Sequence, residues 1–332
     1  MVFTLPWLRM AIPDPSPALV HQVRRGLAKF VASDLPPVVT LTTDATCDDV
    51  GAPAEAREIR ERATLRYQFV DGIDTTRPAA FATADGSVAT VDLDGGRLQL
   101  RLNRAVFDAP YSTWADLLAA PLAAAWRHHG CFPLHAAAVS LPDVGTVLIV
   151  GASGSGKTTT ALALASGGGT WRADDKVLLR TCDGRLTAAS LYANTNLAPA
   201  TIDAHARLHA LRHRAPIDET NDKRPCLLAD LGQAVDLSPF EPALVIFPTQ
   251  VARATSRMQP LEPLDALLRL TAQSPSGGAR AVIRQQHQQL LALAGTLPAF
   301  VLEAGRDVLV DPVGFTARTV AQALVPGTHV AP

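Results

Sequence analysis

The chain has 332 residues, 48% hydrophobic and 18% charged, with a formal net charge of −1. That length and apolar content allow a large core and two domains, while the near-zero charge gives no footprint for nucleic acid or an anionic membrane. No apolar run reaches the length of a membrane span, the N-terminus lacks a basic-then-apolar leader, and Cys47, Cys131, Cys182 and Cys226 form no C-x-x-C pair, so reduced thiols in a cytoplasmic protein are expected.

The first 35 residues begin proline-rich and then turn amphipathic, with Leu19, Val23, Leu27 and Phe30 on one face of a helix predicted over 18–31. From 36 to 109 the pattern changes to short alternating runs at 38–41, 65–70, 87–91 and 98–102. Asp85-Gly86 and Gly95-Gly96 separate the later runs, which predicts antiparallel hairpins. Residues 113–129 read as a helix that Pro121 kinks or splits. The run at 132–139, which contains His135, reads as a strand, and Val147-Leu148-Ile149-Val150 as a buried one beside it.

Next comes Gly151-Ala152-Ser153-Gly154-Ser155-Gly156-Lys157-Thr158, a match to the phosphate-binding pattern G-x-x-x-x-G-K-[ST], followed by a helix over 158–166. A strand, a glycine loop and a helix N-terminus make an anion site. Glycines let backbone N–H groups turn inward, and the helix dipole favours negative charge. Gly151, Ser153, Gly154, Ser155, Gly156, Lys157, Thr158 and Thr159 are the expected nucleotide contacts. Lys157 should reach the terminal phosphates of ATP, and the Thr158 hydroxyl should sit on Mg²⁺.

Gly167-Gly168-Gly169 stops the helix, and 170–179 reads as one strand carrying Asp174 and Asp175. A loop and helix at 188–215, a polar loop at 218–224, a buried strand at 242–247, helices at 262–273 and 281–294, and strands at 299–303 and 307–310 complete the chain. Ordinary NTPases end an apolar strand with an acid that holds Mg²⁺. Here the best such strand runs into Pro248-Thr249, and the acids lie 17 and 18 residues after Lys157 instead. Phosphoryl transfer to a hydroxyl needs a Mg²⁺ ligand and a base. Adjacent strand residues face opposite sides unless they sit at a strand end or bulge. The transfer also needs cations for the charge spreading over the γ-phosphoryl oxygens, and Lys223 and Arg224 are the candidates outside the loop.

His135, the glycine loop and the run Ala173-Asp174-Asp175 together resemble the HPr serine kinase/phosphorylase family and its HPr-kinase-like relatives. The resemblance covers roughly residues 130–310. It implies an α/β fold with a P-loop kinase core of the HPr kinase and phosphoenolpyruvate carboxykinase type. It implies Asp174 as general base toward a seryl hydroxyl, Asp175 beside Thr158 at Mg²⁺, and His135 near the transferring phosphate. The segment with Glu219, Lys223 and Arg224 is similar to a Lys-Arg segment of such kinases, Glu219 being a further candidate for the metal. Thr159 stands where the HPr kinases carry an acid. Some HPr-kinase-like proteins phosphorylate a serine of a lasso precursor peptide, so the acceptor class implied is a protein or peptide serine.

The expected organisation is a β-rich (α+β) N-terminal domain at 1–125, with an acceptor-binding or structural role, and a catalytic domain at 126–332. A homo-oligomer is implied by the resemblance alone. A small-molecule kinase of the shikimate or gluconate type is the second expectation. The third is a nucleotide-dependent switch without an acceptor.

Overall fold

The computed structural model describes residues 2–5, 7–11, 31–32, 39–44, 58–62, 65–69, 79–83, 87–92, 97–101, 121–217, 221–275 and 279–324. Glu219, Cys47, residues 18–30 of the helix expected at 18–31 and residues 113–120 of the one expected at 113–129 lie outside these residues. They divide into two compact units. The first falls within 1–131, with Ile217 and 279–284; the second comprises 132–216, 221–275 and 285–324.

The first unit holds a nine-stranded sheet of β1 (Val2–Leu5), β2 (Leu8–Ala11), β3 (Val31–Ala32), β4 (Val39–Asp44), β5 (Glu58–Arg62), β6 (Leu65–Phe69), β7 (Ala79–Thr83), β8 (Val88–Asp92) and β9 (Arg97–Arg101), in the order β3-β1-β2-β4-β9-β8-β7-β6-β5. The hairpins expected around Asp85-Gly86 and Gly95-Gly96 are present, as antiparallel β7–β8 and β8–β9. Along β9, Leu98 and Leu100 are buried while Arg97, Gln99 and Arg101 face solvent, the alternation of a one-sided sheet. Strands β1, β2, β3, β5 and β7 were not expected. Val31, the last residue of the expected helix at 18–31, pairs with Thr4 as a strand residue. Of the helix expected at 113–129, the described part is helical over 121–128.

The second unit is built on a six-stranded sheet, β13-β11-β12-β18-β20-β19, whose central β12 (Gly145–Val150), β18 (Pro242–Gln250) and β20 (Ala299–Ala304) run parallel. The outer strands β11 (Ala136–Leu141), β13 (Thr170–Ala173) and β19 (Arg257–Pro260) are antiparallel to their neighbours. Along β12, Val147 and Ile149 enter one core with Leu162, Trp171, Phe300 and Phe315. Leu148 and Val150 enter the other, with Phe247, Leu270 and Leu293. Burial on both faces is why the central strands read as unbroken apolar runs. Helices α1 (Lys157–Ser166), α2 (Pro199–Ala204), α3 (Pro263–Ala272), α4 (Arg280–Thr296), α5 (Asp307–Val310) and α6 (Pro312–Ala323) supply the rest of the core, with α1 and α6 on the first face. The core is therefore α/β, a glycine loop joining a central strand to a helix.

Two expected strands are each divided. The run at 132–139 splits into β10 (Cys131–Leu134) and β11 on either side of His135. The run at 170–179 splits into β13 and β14 (Val177–Cys182) around Asp174-Asp175-Lys176. Strands β10 and β14 join β15 (Arg185–Ser190) in a separate three-stranded sheet. The chain thus crosses twice between the same two sheets, and neighbouring strands bring the crossings together. A backbone bond from Ala136 N–H to the Asp175 carbonyl, 3.2 Å, joins them. Apolar residues on both sides of each crossing are buried, so periodicity alone hides the break. The segment 307–310 is also corrected: it is α5, not a strand. The Ser256 N–H and hydroxyl and Arg318 hold the Asp307 side chain, and the Asp307 carbonyl accepts from Asp311 N–H.

Candidate functional site

Strand β12 ends at Val150 and α1 begins at Lys157, so the glycine loop lies between a buried strand and a helix N-terminus. Gly154 and Gly156 hold φ of +82° and +99°, which side-chain-bearing residues rarely adopt. A Cβ at Gly151 would lie 2.6 Å from Ser155 Oγ. That Ser155 hydroxyl is buried with no hydrogen-bond partner, which suits a bound oxyanion. Lys157 Nζ folds back over the loop and donates to the carbonyls of Gly151 and Ala152 at 2.8 and 2.9 Å. Burial lowers its pKa to about 8; the charges of Asp175 and Asp174 oppose the fall and that of Lys223 adds to it. Ser153 is exposed at the loop's turn, and the Thr159 hydroxyl meets Thr201 of α2 at 2.9 Å.

The Thr158 hydroxyl donates to Asp174, 3.2 Å from each carboxylate oxygen. Thr195, on β16 (Asn194–Leu197), donates to the same carboxylate. Asp174 is 1% exposed, and burial first, then the charge of Asp175, raises its pKa to about 6 against the hydrogen bonds from Thr195, Thr158 and the backbone. Asp175 is different. It has φ +63° at the centre of a tight turn, closed by a 2.8 Å bond from Lys176 N–H to the Asp174 carbonyl. The turn sends the two adjacent carboxylates to different partners. Asp175 Oδ1 lies 3.4 Å from His135 Nε2, with 42% of its side chain and 30% of the histidine's exposed. Enclosure pushes the Asp175 pKa up, but the hydrogen bond from His135 and the charges of Lys176, His135 and Lys157 outweigh it and hold it at about 2.

The loop, Asp174, Asp175 and His135 therefore form one constellation. Thr158 meets Asp174 rather than Asp175, with which it was expected to share a cation. Lys223 is within electrostatic reach of Lys157, and its N–H donates to Asn221 Oδ1 at 3.3 Å. Arg224 starts β17 (Arg224–Leu227), which pairs with β16, and turns its guanidinium onto the Asp222 carbonyl. Two contributors escaped the sequence reading. Thr195 lies in a polar N-T-N-L strand without periodic signal, and Gln250 stands at the end of β18 with its amide on the Gly154 carbonyl at 3.0 Å.

Among the described residues no group of three or more His, Cys, Asp or Glu side chains is arranged to hold a metal, and no helix is long and apolar enough to cross a membrane. No family model and no curated protein matches the chain. Among solved structures the chain is similar to the HPr(Ser) kinase/phosphatase from Coxiella burnetii, at 15% identity and a TM-score of 0.29, over 57% of this chain and 91% of that one.

Proposed function

We propose that the chain is an ATP-dependent kinase that transfers the γ-phosphoryl group to a hydroxyl, with a serine of a protein or peptide as acceptor. The observation that carries the reading is the pairing of a glycine loop with two adjacent carboxylates, one on the loop's own Thr158 and one beside His135. A loop alone speaks for nucleotide binding. The second, half-exposed carboxylate supplies what hydrolytic switches do not need, an acceptor for the proton of an attacking hydroxyl.

The geometry favours a division of labour opposite to the one the sequence suggests. Thr158 and Asp174 offer hard oxygen ligands side by side, which fits Mg²⁺ completed by water and phosphate. When bound, Mg²⁺ would neutralise charge on the β- and γ-phosphates. Asp175 is the carboxylate that an acceptor hydroxyl can reach: it is half-exposed and ionised at neutral pH, whereas Asp174 is buried. In the proposed step the acceptor oxygen forms a bond to the γ-phosphorus while the bond to the β,γ-bridging oxygen breaks. The electron pair leaves with ADP, and the acceptor proton passes to Asp175. His135 orients that carboxylate. Lys157 holds the phosphates, with Lys223 a further cation within electrostatic reach; Arg224, bound to its own backbone neighbour, would have to turn to take part.

Incubation with γ-³²P-labelled ATP and Mg²⁺ against serine-containing peptides and proteins, and in parallel against free polyols, tests the reading. Label on a seryl group supports it. Label on polyols alone makes the protein a small-molecule kinase, and phosphate release without any acceptor makes it a switch. Asp175→Asn should lower transfer by about 10²-fold or more while the Kd for ATP changes less than about threefold. Transfer at the wild-type rate in that variant removes Asp175 from the mechanism.

A further inference from the structure

The parallel strands β12, β18 and β20 carry their C-terminal ends toward the same edge of the sheet. The glycine loop leaves the end of β12, and Gln250 is the last residue of β18. Gln250 pairs in register with Ala304 of β20, while the pairing of β18 with β12 ends at Ile246, so Gln250 stands past the end of β12, where the loop begins. This strand end is where many NTPases present an acid. Here it presents a neutral amide that reaches across to the loop. Its Nε2 donates to the Gly154 carbonyl at 3.0 Å, and its Cγ and Nε2 would each lie 3.6 Å from a Cβ placed on Gly156. One side chain therefore meets both left-handed glycines, Gly154 through its carbonyl and Gly156 by packing.

We propose that Gln250 is a positioning residue that clamps the phosphate loop in its nucleotide-receiving shape. The inference rests on reading that loop as the ATP site. Because the peptide unit is planar, fixing one end fixes the other. The 154–155 peptide has its carbonyl on Gln250 and its Ser155 N–H on the Ala152 carbonyl at 3.2 Å. Glycine at 154 and 156 is otherwise free to visit either sign of φ, and each excursion removes donors from the phosphate position. Holding the loop before ligand arrives lowers the ordering cost of binding. An amide is suited to the task. It donates to a carbonyl without bringing negative charge toward the phosphates, as a carboxylate would, and without competing with Lys157 for them, as a second cation would.

The test compares Gln250→Met, which keeps length and shape but has no donor, with Gln250→Glu. Gln250 is exposed, so neither change should disturb the core. Three readouts are taken: the Kd for ATP by calorimetry, kcat at saturating ATP, and amide hydrogen exchange of the loop in nucleotide-free protein. Gln250→Met should weaken ATP binding about fivefold, the equivalent of one neutral hydrogen bond, leave kcat within about twofold, and speed exchange of the loop amides. Gln250→Glu should weaken binding further. Wild-type affinity and wild-type loop exchange in Gln250→Met overturn the proposal. A wild-type protein that binds no ATP, with a loop that still loosens in Gln250→Met, overturns the nucleotide reading and keeps the clamp.

Discussion

Asp174 is a carboxylate with almost no access to water, held by the hydroxyls of Thr158 and Thr195 and by a backbone N–H, with no cation hydrogen-bonded to it among the described residues. Burial raises its pKa from 3.8 to about 6. A folded-state pKa above the unfolded one gives stability that is fully present below about pH 4 and is lost as pH rises through 6. At neutral pH the ionised group thus burdens the empty protein, on the order of 2–3 kcal/mol for a shift of about two pKa units. Asp174→Asn keeps an acceptor for Thr158 and Thr195 and removes the charge. It should raise the Tm at pH 7.5 by several degrees, with the gap closing at pH 4. A Tm difference that does not change between those two values counts against the burden. Under the proposed function Mg²⁺ should stabilise the wild type and not the variant. The offset from Lys157 found this carboxylate pair in the sequence. It could not assign the partners, because the crossing at 174–176 and the φ of +63° at Asp175 aim the two side chains apart.

The helix that begins at the loop is fixed at its other end by contact with α6. Gly167, just past α1, has φ −84°, an ordinary value for alanine, yet a Cβ there would lie 2.1 Å from Thr316 Oγ1 and 2.4 Å from Thr316 Cβ. Thr316 is 5% exposed and its hydroxyl donates to Pro312 O at 2.8 Å and Ala163 O at 3.3 Å, so it has little room to yield. Gly167→Ala should destabilise by about 2 kcal/mol through overpacking. In urea unfolding, Thr316→Gly should cost about 1–3 kcal/mol, from the buried methyl and hydroxyl it removes and from glycine inside a helix. The double variant should be no less stable than Thr316→Gly, because the clash is gone; full additivity would place the strain elsewhere. Strands β12, β18 and β20 were legible because parallel strands buried on both faces are long and apolar. The splits at His135 and at Asp174-Asp175 were not, since the apolar pattern runs straight through both crossings. Five strands of the nine-stranded sheet were missed, one of them, β5, rich in charge (Glu-Ile-Arg-Glu-Arg).

With a net charge of −1 the protein has no overall field to draw in a tetra-anionic nucleotide, so under the proposed function the affinity for ATP must come from the loop itself. Much of that rests on Lys157. Burial lowers its pKa to about 8 in the empty loop, despite the two carboxylates. Bound phosphate favours the ammonium form. Below pH 8 the lysine is already charged and binding exchanges no proton with it. Above pH 8 binding must take up one proton, so affinity should fall as pH rises, approaching tenfold per pH unit. Saturation at about 100 times the Kd should stabilise the protein by about 2.7 kcal/mol at neutral pH, visible as a higher Tm. Titration by calorimetry at pH 7 and pH 9.5, with ATP, ADP and adenosine, measures this directly. ATP and ADP should weaken about tenfold or more between the two values, and adenosine, which has no phosphate to engage the lysine, should give no Tm shift. Lys157→Ala should lose the Tm shift and the pH dependence together. An affinity that stays flat from pH 7 to 9.5 in the wild type, beside a Lys157→Ala variant that still binds, would move the phosphate contact off Lys157.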